Sequence, residues 1–166
     1  MSGISDTERM ITLKTVEGTL FDVKSSIAKD LKTVQAFIDD SDDDVTSPIP
    51  LPNVFTRELS RILDYLNNHH RFRSSIEKAD EEMARYDAEF AKSMSNEELK
   101  ALILAANYLN VKDLLEFLNQ TVADVIQNKS VEFVRNFFGI ENDYTPEEEE
   151  KLRNENEWAF NGVEQD

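Results

Sequence analysis

The hydrophobic residues of this chain follow two different periods. In Met10-Ile-Thr-Leu-Lys-Thr-Val16 and Leu20-Phe-Asp-Val23 apolar and polar residues alternate. Beyond Phe55 they recur every three or four positions instead. Alternation gives a strand one buried and one wet face, and Glu17-Gly18 between the two runs supplies a tight turn, so the start reads as a β-hairpin. Ser25–Asp30 and Lys32–Ile38 read as short helices with Ile27, Leu31, Val34, Phe37 and Ile38 pointing inward. Pro48-Ile-Pro-Leu-Pro-Asn-Val54 reads as one more extended piece, which three prolines confine to a sheet edge. From there the pattern is helical only. Hairpin, small helices, an extended piece and then helices predict an α+β fold with a small, mixed sheet capped by helices.

The helical part divides into recognisable segments. Phe55, Leu59, Ile62, Leu63 and Leu66 form one stripe that ends near His69-His70. Residues 71–80 read as a linker, and Met83–Phe90 as a further short helix. Ser95-Asn-Glu-Glu98 is a capping box that opens a helix carrying Leu99, Leu102, Ile103, Ala106 and Leu109. Val111, Leu115, Leu118, Val122 and Val125 then step by four and three with Leu114 and Ile126 beside them, a core helix that would run roughly 25 Å to Gln127.

The last forty residues behave differently. Val131-Glu-Phe-Val-Arg-Asn-Phe-Phe-Gly-Ile140 holds three phenylalanines. Thr145 as N-cap, Pro146 at the first helical position and the glutamates after it predict a helix start. Yet from Glu147 onward the large apolar residues are Leu152, Trp158, Phe160 and Val163, a stripe too thin to hold the segment on a core by itself. Trp158, with Phe137, Phe138 and Ile140, either folds back on its own domain or belongs to a surface that a partner covers. Composition does not choose between these readings.

Charge and chemistry narrow the function. With 34 acidic and 18 basic residues the net charge is −16, which repels nucleic acid and anionic membranes and attracts basic surfaces. Nothing approaches a membrane span, and Met1–Ile11 lacks the apolar run of a signal peptide. We therefore expect a protein of the cytoplasm and nucleus, in which the two glycosylation sequons at Asn119 and Asn128 are accidental. Without cysteine there is no disulfide, thiolate metal site or cysteine nucleophile. Residues 39–47 form an acidic, solvated loop. It is no calcium loop, since Asp44 and Pro50 stand where glycine and glutamate are needed. His69 and His70 point about 100° apart on a helix and read as surface or cap. The phosphate-binding, nucleophile-elbow and zinc-protease spacings are missing. The expectation is a non-enzyme with no catalytic residue, cofactor or metal.

Several motifs, in order from about residue 10 to 160, resemble one family. They are Pro50-Leu-Pro-Asn-Val54, His69-His70, Leu102-Ile-Leu-Ala-Ala-Asn-Tyr-Leu109, Thr121-Val-Ala123, and Asn142-Asp-Tyr-Thr-Pro-Glu-Glu-Glu-Glu150 through Asn156-Glu-Trp158. Together they look like the Skp family of ubiquitin-ligase adaptors. The resemblance implies a BTB/POZ core over residues 9–128 and a C-terminal helical extension over 129–166. It also implies an adaptor that bridges F-box proteins to a cullin in ubiquitin-dependent degradation. Asn107 and Tyr108 match the cullin-facing dipeptide. Leu115, Val122, Phe138, Ile140 and Trp158 match the F-box-facing surface.

The chain departs from the family at Tyr86 (usually Trp), Lys100-Ala101 before Leu102 (usually ending in Phe-Glu), Val131-Glu-Phe133 (usually beginning with Pro) and Ala159 (usually Cys). These departures suggest a divergent paralogue. Two alternatives stand beside the adaptor. One is an F-box-binding or self-associating module without a cullin, since a BTB fold can form a homodimer when free. The other is an acidic chaperone or hydrolase, because residues 147–166 carry eight acids and two bases.

Overall fold

The computed structural model describes residues 9–41, 45–75 and 79–164. The middle of the acidic loop (42–44), part of the expected linker (76–78), the first eight residues and the last two lie outside that description. The chain divides into two compact units, residues 1–119 and 120–166.

In the first unit the hairpin forms as its alternation dictates. Strand β1 (Met10–Thr15) buries Ile11, Leu13 and Thr15 and pairs antiparallel with β2 (Leu20–Lys24), Leu13 opposite Phe21. Gly18 closes the loop at φ +86°, a conformation that costs any other residue strain. β3 (Ile49–Leu51) pairs parallel with β1, giving a mixed sheet of order β2-β1-β3. Pro50 therefore sits at an edge, where its missing N–H breaks no central ladder.

Two short helices, α1 (Ser25–Ala28) and α2 (Lys32–Asp39), lead from β2 toward β3. Leu31 and Val34 are buried, and Ile38, four residues on, is half-buried. Phe37, expected inward, is exposed, because one residue before Ile38 it is turned about 100° off that stripe.

Helix α3 (Thr56–Arg73) is the centre of this unit. Leu59 and Ile62 are sealed completely, with Leu63, Tyr65 and Leu66 beside them. Burying one such aliphatic side chain contributes about 1.5–3 kcal/mol. The helix runs past the expected end at His69-His70 to Arg73, so residues 71–73 of the expected linker are helical. Phe55, expected on the apolar stripe, is instead the N-cap residue. It has no oxygen to cap with, and Glu17 from the hairpin tip accepts from the Thr56 amide at 2.7 Å. Thr56, through its hydroxyl first and its amide second, holds the Glu17 carboxyl below its ordinary range. Thr15, Thr19 and Thr56 link hydroxyls around it.

Helix α4 (Ala79–Lys92) is longer than the expected Met83–Phe90 segment and packs along α3 through rings. Tyr86 lies against Phe72 and Phe90, each 5.8 Å between centroids. The histidines are neither bare surface nor cap. His69 is 6% exposed, stacks on Tyr65 at 3.9 Å and bonds Asp87 at 2.7 Å, while His70 bonds Asp30 at 2.7 Å. Burial, with Asp87 and Asp113 adding to it, raises the Tyr65 hydroxyl above its ordinary range.

Helix α5 (Asn96–Leu109) opens on the Ser95/Glu98 capping box. It ends at Asn110 in the left-handed region (φ +52°), with the Val111 amide returning to the Ala106 carbonyl at 3.0 Å. The division between the two units falls within α6 (Lys112–Ile126), whereas the boundary expected at 128/129 lies just past that helix. The second unit continues with α7 (Val131–Phe138), α8 (Pro146–Glu155) and a 3₁₀ turn, Glu157–Phe160.

Candidate interaction faces

Two faces carry the residues singled out in the sequence, one in each unit. The first is the outer side of α5. Leu99, Leu102, Ala106 and Leu109 turn inward, which turns Glu97, Leu104 and Asn107 outward at spacings of seven and three. Asn107 is exposed and Tyr108 half-buried. The Thr33 hydroxyl donates to the Tyr108 carbonyl at 2.7 Å, so α2 holds this stretch of α5 in place.

Leu104 is 72% exposed, an unusual position for a leucine beside a buried stripe. It lines a shallow depression of about 460 Å³ with Phe55, Ala101 and Ala105, edged by Glu17, Arg57 and Glu58. Phe55, expected on the apolar stripe of α3, is 57% exposed, since as the extended N-cap residue it lies outside the helical repeat. Leu104 was not singled out either. Its signal was present: two residues past Leu102 it lies about 200° around the helix, opposite the core. Lys100 lies on this side too, paired with Glu97 at 2.6 Å.

The second face is made by the residues after 119. Here α7 is capped by Ser130, whose hydroxyl accepts from the Phe133 amide. It ends at Gly139 (φ +66°), where the Ile140 amide returns to the Arg135 carbonyl at 2.9 Å. The turn that follows throws Ile140 outward. Thr145 and Glu148 form the capping box of α8, with Pro146 at its start.

Between the two helices Arg135 donates to Glu149 at 2.9 Å and to Glu132 at 3.3 Å. The Asn142 amide reaches Glu149 at 3.4 Å, and its oxygen accepts from the Tyr144 amide at 3.1 Å. The Arg135 bond holds the Glu149 carboxyl below its ordinary range. At the end of the chain Glu164 bonds the Asn128 carbonyl through its amide and pairs with Lys129 through its carboxylate. Polar ties therefore join the buried Phe137 in fixing α7, α8 and the final turn.

What those ties display is apolar. Phe137 is buried and meets Phe133 and Phe138 ring to ring. Phe138 is 46% exposed, Ile140 58% and Trp158 76%, with Tyr144 and Leu152 also exposed. Val122 is half-buried in this unit, and Leu115, half-buried, belongs to the first unit. The sequence reading left Phe137 and its neighbours open between inside and outside. The structure separates them, Phe137 in and Phe138, Ile140 and Trp158 out.

Comparison with known proteins agrees with this layout. The profile for the tetramerisation domain of the Skp1 family matches residues 9–71, and that for the dimerisation domain of the same family matches residues 112–159. The rice (Oryza sativa subsp. japonica) protein SKP1-like protein 20 is 40% identical over 96% of this chain and 99% of its own length. SKP1-like protein 1A of Arabidopsis thaliana is 40% identical over 92% of this chain and 98% of its own. SKP1-like protein 10 of the same plant is 42% identical over 92% and 97%. The small mixed sheet with its helices is thus the BTB/POZ-type α+β fold that the resemblance implied, carrying a helical C-terminal extension. The chain belongs to the Skp1 family.

Proposed function

We propose that this protein is a non-enzymatic adaptor of an SCF-type ubiquitin ligase, joining an F-box protein to a cullin in the cytoplasm and nucleus. The observation that carries the reading is the exposure of Phe138 at the end of α7, Ile140 in the turn after it and Trp158 in the 3₁₀ turn, in a unit whose two helices are capped and joined by an ion pair. Large rings held outward on ordered backbone gain free energy only when another chain covers them. On this reading Leu115, Val122, Phe138, Ile140 and Trp158 meet the F-box helices.

Asn107 and Tyr108, with Leu104 and Phe55 on the same unit, meet the cullin. Their support is the solvent-facing side of α5, where an apolar centre has a charged rim. The adaptor reading needs two faces on one chain, and exposed large apolar residues stand in each unit. An F-box-binding module without a cullin remains the second reading, favoured by Lys100, a charge set against that otherwise apolar face.

Reconstitution tests the choice. The purified chain is mixed with an F-box domain and a cullin N-terminal domain, singly and together, and complexes are resolved by size. A ternary complex supports the adaptor. Binding of the F-box domain alone supports the second reading, and binding of neither removes both.

A further inference from the structure

The second unit has a charge imbalance that its own contacts make sharper. Residues 120–164 hold eleven carboxylates and four cations. All four cations are engaged locally. Lys129 pairs with Glu164, Arg135 with Glu132 and Glu149, and Lys151 with Glu155, while the Arg153 guanidinium lies 5.4 Å from the Phe160 ring centre. Glu141, Asp143, Glu147, Glu150 and Glu157 are exposed and have no cationic partner among the described residues.

Their places in the chain matter. Glu141 follows the exposed Ile140, Asp143 precedes the exposed Tyr144, and Glu157 precedes the exposed Trp158. Neighbours in sequence have Cα atoms about 3.8 Å apart. A partner that covers those three apolar side chains therefore approaches the backbone positions that carry three exposed carboxylates. Glu147 and Glu150, three residues apart, share one side of α8.

We propose that the helical segment docking on Ile140, Tyr144 and Trp158 carries a lysine or arginine rim around its apolar face, and that these unpaired carboxylates select it. The inference rests on the adaptor reading for its F-box partner and adds the chemistry that partner must show. Two effects act together. A carboxylate partly dried by a neutral or acidic rim loses hydration without compensation, so such partners are disfavoured. A basic rim is attracted across roughly a Debye length, about 8 Å at physiological salt, which raises the association rate.

The test uses the full chain and two synthetic amphipathic helices with the same leucine face, one rimmed with lysine and one with glutamine. At low salt the lysine-rimmed probe should associate about tenfold faster, and high salt should close the gap. Glu141→Gln with Asp143→Asn and Glu157→Gln should remove most of that advantage without lowering the melting temperature. Trp158→Ala should weaken both probes.

Equal rates for the two probes, or a gap that the triple variant leaves intact, would overturn the inference. So would lysine-probe binding untouched by Trp158→Ala, which would mark a bare acidic tail. An F-box domain run alongside separates the two proposals. Binding that ignores salt sinks the basic rim and leaves the adaptor standing. A lysine-rim preference with no F-box binding does the reverse.

Discussion

The two units stabilise their helices by different means. In the first, α3 and α5 place Leu59, Ile62, Ala106 and Leu109 entirely out of water, and polar bonds such as His69–Asp87 sit around that core. In the second, Phe137 is the one large apolar side chain among the described residues that is fully buried. Isolated helices as short as α7 and α8, eight and ten residues, are unstable in water. Here the Ser130 and Thr145 caps and the Arg135–Glu149 bond supplement a small apolar contact around Phe137. The contrast teaches that order and burial are separable. A segment can be fixed in shape while its rings stay outside, which is the state a docking surface needs.

The contrast can be broken most forcefully from the core side. Leu59→Ala should cost the first unit about 2–5 kcal/mol in chemical denaturation, because a sealed leucine leaves a cavity. Trp158→Ala should leave that denaturation curve unmoved yet weaken F-box affinity at least tenfold by calorimetry, a loss of about 2–4 kcal/mol for a central aromatic. If the two variants gave the same signature, the division of labour between units would be wrong. Asn107→Lys with Tyr108→Lys should abolish cullin capture in a pulldown and spare F-box capture. Loss of both would indicate unfolding.

Finer tests address how the second unit is held. Arg135→Ala should shift the amide resonances of Ile140 and Tyr144 and reduce F-box affinity severalfold, with the first unit's spectrum unchanged. The same resonances should respond to acid. Because Glu149 has a lower pKa folded than unfolded, its bond to Arg135 contributes fully above the ordinary glutamate range and is lost as pH falls through the depressed value. A titration in which these amides moved well above that range would contradict the assignment. The smallest effect belongs to Glu17→Gln, which should lower the melting temperature of the first unit slightly by weakening the start of α3.

Much of this was legible in the sequence, and the reason is distance along the chain. The Ser95 and Thr145 capping boxes span three residues, so their serine, threonine and glutamates announce them. The hairpin and the α5 and α6 stripes are equally local. The expectation failed where a partner comes from far away. Glu17 reaches the Thr56 amide across 39 residues, and Phe55, at the extended N-cap position, stays off the stripe it was assigned to. His69 finds Asp87 on another helix, and with it a buried site that a His-His pair at a helix end does not advertise. At the candidate faces the exposure of Leu104 followed from helical geometry. That Phe138 turns out while Phe137 turns in follows from their roughly 100° separation on α7, but which of the two is the buried one depends on what packs against the helix.

The loan of a carboxylate from the hairpin tip to α3 has an evolutionary consequence. Residue 55 starts a helix without helping to start it, so the side chain there has no duty to the scaffold. Related chains can change that ring for another shape and alter what the depression beside Leu104 accepts, while the helix keeps its anchor at Glu17. Variation that would unravel the fold at Leu59 leaves it standing at Phe55 and, on the proposed reading, would change only what the protein recognises.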